Sequence, residues 1–226
     1  MNSVQDSHRS PIGEKYNDGI NPCRRAESMG SKSADEMRFW TKDQYLRFSD
    51  EIMDKPLSFH AFETLYWCGV REGELLALKP RRFDFERGTL TVAESYQRID
   101  GRDVLTDPKT PKSKRVIAMP RFYAEEMEAF LSALDLDPDE RIFPVTKYFL
   151  SHEMARGSKA AGLEPIRVHD LRHSHVSLLI DMGFSALAIA DRMGHEAADI
   201  TYRYAHLFPS VQADMARALD GARREN

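Results

Sequence analysis

The stretch His169-Asp170-Leu171-Arg172-His173-Ser174-His175 carries the densest chemistry in the chain. On a helix His169 and Arg172 are three apart, so both face one point across a turn. Arg172 offers a planar fork of donors suited to phosphoryl oxygens, and His169 adds a hydrogen bond or a proton relay. Two other readings compete. His169 and His173 are four apart, the spacing of a zinc helix, but the position beside the first His holds Asp170 rather than the Glu of HExxH, and no third ligand stands out. The third reading is structural, each imidazole satisfying a backbone carbonyl or a helix end. It is the one adopted for His173, His175 and His152. Six of the eight histidines fall within residues 152–206, so the bias toward this region calls for a chemical reason.

Working outward, the HDLRHSH stretch opens a helix over Asp170–Met182 that Gly183 stops. Ser185 caps Ala186–Met193, Gly194 ends it, and a further helical piece covers Ala198–Tyr204. Upstream, Thr41 caps a helix carrying Tyr45, Leu46, Phe48 and Ile52, limited by Pro56. A second helix places Phe59, Phe62, Leu65 and Tyr66 at helical spacing and closes at Gly69. A short helix is expected over Arg71–Lys79. From Phe83 to Pro120 the period changes to two, with strands at Thr89–Ala93 and Arg115–Met119 and a turn at Asp100-Gly101, predicting a small antiparallel sheet of three strands. Helices return at Glu125–Leu134 and Lys147–Gly162. The fold class is therefore mainly α with a small antiparallel β-sheet (α+β). Residues 1–36, rich in Ser, Asn, Gly and charge, read as a tail or linker; residues 37–208 are expected to form one folded domain; residues 209–226 carry a final helix whose stripe is Val211, Met215 and Leu219.

The 226 residues include 42% hydrophobic side chains, enough for a core, and this excludes wholesale disorder. Cys23 and Cys68 cannot build a disulfide scaffold or a zinc finger. The N-terminus lacks the apolar segment of a signal peptide, and no apolar run reaches the roughly 18 residues of a membrane span, so a cytoplasmic protein without a membrane partner is expected. Lys32-Ser33 lacks the Gly of a nucleotide-binding GxxxxGK[ST] loop. The net charge of −4 argues against a protein that simply coats nucleic acid. That balance is local, however. Residues 122–140 hold seven acids and no Lys or Arg, and without them the chain carries +3. Residues 107–121 hold five basic residues against one acid.

Four further segments join the HxxR box. Arg71 lies in CGVREGELLAL (residues 68–78), Lys109 in PKTPKSKRVIAMP (108–120), His195 in MGHEAADIT (193–201) and Tyr204 in YAHL (204–207). In this order and spacing the sequence resembles the tyrosine recombinase (phage integrase) family, over roughly residues 37–220. Taken singly, Arg71 reads as a surface ion-pair partner and Lys109 as one solvated charge among Lys112, Lys114 and Arg115; the joint occurrence reverses both readings. Glu74 is expected to pair with an arginine or its backbone. Tyr202 competes with Tyr204, but the YAH context favours Tyr204.

The resemblance implies the catalytic-domain fold of that family and a catalytic set of Arg71, Lys109, His169, Arg172, His195 and Tyr204. It implies attack of Tyr204 on phosphorus to give a 3′-phosphotyrosyl link and a free 5′-hydroxyl, without metal, cofactor or ATP. His169 is a reasonable acceptor for the phenol proton; Arg71, Arg172 and His195 would clamp the nonbridging oxygens, and Lys109 would protonate the leaving oxygen. The implied partner is double-stranded DNA, with self-association on DNA through the C-terminal tail. Full-length members carry an N-terminal core-binding domain. With only 36 residues ahead of the catalytic region, the chain is expected to be an excised catalytic domain or a natural remnant. The alternative function is a DNA-binding remnant or accessory factor of a mobile element that keeps the fold but not productive recombination.

Overall fold

In the computed structural model, residues 37–107, 113–195, 197–208, 215–217 and 219 are described. Thr41 opens helix α1 (Lys42–Asp50) with a reciprocal capping box: the Gln44 amide donates to the Thr41 hydroxyl and the Thr41 amide donates to the Gln44 side chain. Pro56 does more than bound this helix. It occupies the first turn of α2 (Pro56–Cys68), where its missing N–H leaves no hydrogen bond unmade. Tyr45, Phe48 and Ile52 are fully buried with Phe62, Leu65 and Tyr66 of α2, and the Tyr45 and Tyr66 rings stack with centroids 3.5 Å apart. The aromatic stripe is core.

The short helix after Gly69 is shorter than its leucines suggest. Helix α3 spans Glu72–Leu75, after which tight turns bring Leu76, Ala77 and Leu78 into the core. Lys79 precedes Pro80 and is extended, at φ −129° and ψ 151°, because the proline ring disfavours helical backbone before it.

The β region departs from the expected single sheet of three strands. Strands β1 (Phe83–Asp84), β2 (Thr89–Val92) and β5 (Arg115–Ala118) form one antiparallel sheet in the order β1-β2-β5, with Leu90 opposite both Phe83 and Ile117. Strands β3 (Ser95–Ile99) and β4 (Arg102–Thr106) form a separate two-stranded hairpin around Asp100 and Gly101, both at positive φ. Of this hairpin only Tyr96 is buried, so there was no apolar alternation in it for a period-two reading to detect.

Helix α4 (Arg121–Leu134) begins directly after Pro120, four residues before the expected start. Helix α5 (Lys147–Ala160) is capped by the Thr146 hydroxyl. Gly157 lets it approach α1 closely, since a Cβ there would lie 2.6 Å from Phe48 and Ile52. Helices α6 (Asp170–Asp181), α7 (Ala186–Met193, capped by Ser185) and α8 (Ala197–Tyr204) follow as the spacing predicts.

Two apolar clusters result. The larger joins α1–α5 and the sheets and reaches Leu171; the smaller holds Val176, Ile180, Ile189, Met193, Ile200 and Tyr204. Helix α6 belongs to both, with its polar first turns at the seam. Residues 215–217 and 219 are helical, and Met215 and Leu219 are exposed, whereas Val211 and the expected tail at 1–36 lie outside the described residues. Among the described residues no helix is long and apolar enough to cross a membrane.

Candidate functional site

Arg71 sits where α2 has ended and α3 begins, so its side chain leaves the N-terminus of a short helix. Its backbone N–H donates to Glu74 Oε2 at 2.8 Å and its guanidinium to Glu74 Oε1 at 2.7 Å. The same carboxylate takes two bonds from Arg115, at 3.0 and 2.9 Å. Burial pushes the Glu74 carboxyl up, but the Arg115 hydrogen bonds and charge outweigh burial and hold it down at about 2. Glu74 therefore stays ionised and ties strand β5 to the start of α3, while Arg71 keeps a third of its side chain exposed.

Arg172 is buried, at 3% exposure, with no carboxylate at ion-pair distance among the described residues. Its guanidinium donates to the Gly69 carbonyl, to the Met193 carbonyl at 2.5 Å, and to His195 Nε2 at 3.0 Å. Arginine only donates, so His195 Nε2 is the unprotonated nitrogen and its proton is on Nδ1. Burial, and then the Arg71 charge, lower Arg172 to about 9; burial and then Arg172 push His195 down to about 3. His169 occupies the N-cap position of α6 and is lowered by burial first and Arg172 second. The charge of Arg71 acts on all three groups. Four residues nominated by sequence thus converge on one spot, where the two guanidinium groups of Arg71 and Arg172 share the influence of a single buried carboxylate, Glu74.

Tyr204, at the end of α8, is 2% exposed and its hydroxyl lies 2.5 Å from His173 Nδ1. Burial raises the phenol to about 12, against the lowering influence of Arg203 and Arg172. Lys109 lies outside the described residues. A cleft of about 520 Å³ opens from Arg71 and His169 past Arg98, Lys147 and Tyr148, the last 80% exposed. Among the described residues no three His, Cys, Asp or Glu side chains gather as a metal site needs.

Three residues of the site escaped the sequence. Arg115, read there as a solvated charge, is 9% exposed and carries the Glu74 pair. Arg192 donates to His175 Nε2, to the Ala118 carbonyl and to the Trp67 carbonyl, while its own carbonyl accepts from Arg115. It ties α7 to α2, β5 and α6, one residue before the Met193 carbonyl that holds Arg172. His173 was left among the structural histidines, yet it is the partner of Tyr204. The one available signal was strand alternation, which puts Arg115 in phase with inward-facing Ile117.

Comparison with known proteins identifies the family and the fold. The model of the phage integrase family matches residues 38–210. The chain is 32% identical over 216 residues to the ICEBs1 integrase of Bacillus subtilis (strain 168), covering 88% of this chain and 58% of that protein. It is 25% identical over 197 residues to the integrase of Mycobacterium phage L5, covering 81% of this chain and 52% of that protein. The chain therefore spans little more than half the length of these relatives. Among solved structures, the Tn1549 transposon integrase in complex with a circular intermediate DNA superposes with a TM-score of 0.69 at 19% identity, over 85% of this chain and 68% of that one. The catalytic domain of bacteriophage HP1 integrase gives a TM-score of 0.57 at 19% identity, over 81% and 95%. By sequence and by its tyrosine recombinase catalytic-domain fold, the chain belongs to the phage integrase family.

Proposed function

We propose that this chain cleaves and rejoins strands of double-stranded DNA through a covalent 3′-phosphotyrosyl intermediate on Tyr204. The observation that carries the reading is Arg172: a buried guanidinium, facing Arg71, with no carboxylate among its described partners. Burial and the neighbouring Arg71 charge both work against the Arg172 cation and the more distant Glu74 carboxylate does not offset them, so a DNA phosphate seated between Arg71, Arg172, His169 and His195 would stabilise it. As phosphorus becomes pentacoordinate its nonbridging oxygens gain charge, and the two fixed guanidinium groups stabilise it where it develops. His195 contributes its Nδ1–H, and Lys109 is the proposed acid for the departing 5′-oxygen. The strand path follows the cleft, with Arg98 and Lys147 on its rim and Tyr148 as a face for a base or sugar. The arginines and lysine supply the positive charge, so the proposed reaction needs neither metal nor ATP. The exposed Met215 and Leu219 support a C-terminal segment that docks on a neighbouring protomer when the protein assembles on DNA.

The test uses a pool of nicked suicide duplexes with a randomised core, incubated with the protein in EDTA. A covalent protein–DNA adduct is expected, abolished in Tyr204→Phe and retained in Tyr202→Phe. Loss in Tyr202→Phe alone would move the nucleophile. DNA binding without an adduct from any duplex would make the chain a binding remnant.

A further inference from the structure

The hydroxyl assigned as nucleophile already has a proton acceptor against it, and that acceptor is not the histidine of the HxxR box. Tyr204 Oη lies 2.5 Å from His173 Nδ1. A neutral imidazole carries one N–H, and on the far side of the ring Asp170 Oδ1 stands 4.0 Å from His173 Nε2. The carboxylate attracts the ring proton to Nε2 and leaves the Nδ1 lone pair to accept from the phenol. Asp170 is itself fixed, 1% exposed, by the backbone N–H and guanidinium of Arg167. Asp170, His173 and Tyr204 thus stand in the order carboxylate, imidazole, nucleophile, with the imidazole hydrogen-bonded to the phenol and the carboxylate acting on the ring through its charge at 4.0 Å.

We infer that His173 is the general base of strand cleavage, taking the Tyr204 proton on Nδ1 while Asp170 sets its tautomer and stabilises the imidazolium. This rests on the proposed phosphotyrosyl reaction and adds a residue to it. In the step, the Tyr204 Oη–P bond forms, the P–O5′ bond breaks, the phenol proton passes to His173 Nδ1, and O5′ leaves with a proton from the general acid. Rejoining runs the same path backward, His173 returning its proton to the departing phenolate.

The charged and titratable groups acting on His173 are His169, whose ring centroid is 5.2 Å away, Asp170, Arg203 and Arg167. Burial, followed by His169, pushes the imidazole down to about 4, so it is neutral and able to accept at physiological pH. With the phenol near 12, no free phenolate–imidazolium pair forms at rest. The proton moves only as the bond to phosphorus forms and the phenol oxygen loses its basicity. His169, at the α6 N-cap beside the Arg172 charge, is left to face the phosphate.

Duplexes that form adducts in the randomised pool serve as single-turnover substrates. His173→Gln keeps an acceptor for the Tyr204 hydroxyl but cannot take its proton, and its cleavage rate should fall by about 10²–10⁴-fold with duplex binding unchanged. In His173→Ala, added imidazoles of graded basicity should restore the rate in proportion to their basicity. A His173→Gln rate equal to wild type, or an alanine variant whose rate does not follow basicity, overturns the assignment. Ring ¹⁵N shifts of DNA-free protein give a reading independent of cleavage: a protonated Nε2 with a bare Nδ1 is expected, and the opposite tautomer overturns it. Failure of wild type to form any adduct would instead sink the phosphotyrosyl reaction itself.

Discussion

Glu74 is the residue on which the charge balance of the site turns. It lies 3% exposed between Arg71 and Arg115, and Arg115 has only 6% of its side chain exposed. A buried pair of this kind is nearly neutral as a unit but costly to break, because the survivor is left charged and desolvated. Arg115→Ala is therefore expected to destabilise the fold by about 3–5 kcal/mol in urea unfolding. Arg115→Met with Glu74→Gln, which removes both charges, should recover part of that loss. A double variant as unstable as the single one would show that packing, not the orphaned carboxylate, sets the cost. Sequence pattern located Glu74 as an arginine partner but not Arg115, because a charged residue within a basic run looks solvated until its strand is placed.

Among the elements, the joint between α2 and α6 decides the site. Gly69 ends α2 at φ +63°, its carbonyl accepts from Arg172, and a Cβ on it would lie 2.5 Å from His175 Cδ2. The left-handed backbone and the contact with His175 both require glycine. Gly69→Ala should destabilise by about 2 kcal/mol or more, from left-handed strain and overpacking together. Because the same substitution displaces the carbonyl that orients Arg172, adduct formation should fall further than stability accounts for. Measuring both in one preparation checks this; a variant that is destabilised but cleaves normally when folded would separate the joint from the site. The helix ends here were legible in Gly69, Ser185 and Gly194, whereas of the β3–β4 hairpin only the Asp100-Gly101 turn was, since its strands bury a single side chain.

Across the whole molecule, burial lowers His60 and His173 to about 4 and His175 and His195 to about 3. In the unfolded chain these groups titrate near 6.5. Between those values the unfolded state binds more protons, so stability rises with pH through this window. The contribution is complete above about pH 6.5 and is lost as pH falls toward the folded values. Glu74, held near 2, adds a loss that begins at the lower unfolded carboxylate range and runs through its own folded value. Tm should therefore drop steadily from pH 7.5 to 4.5 in thermal scans, and a flat profile would contradict the buried neutral histidines. Three of the four, His173, His175 and His195, lie in or beside the site, which should make it the first region to loosen.

Sequence alone determined the family, the order of the helices and the residues nominated for chemistry. Helical periodicity, caps and motif spacing are local properties carried by neighbouring positions. Tertiary structure decided which nominees meet. It brought Arg71, His169, Arg172 and His195 to the seam between two apolar clusters, turned Arg115 from a solvated charge into an internal brace, gave Arg192 a bracing role of its own, and set His173 against Tyr204. Those roles depend on burial and on partners tens of residues away along the chain. The same imidazole or guanidinium is a solvated group in one setting and a buried, fixed one in the other, and only the packing around it chooses between them.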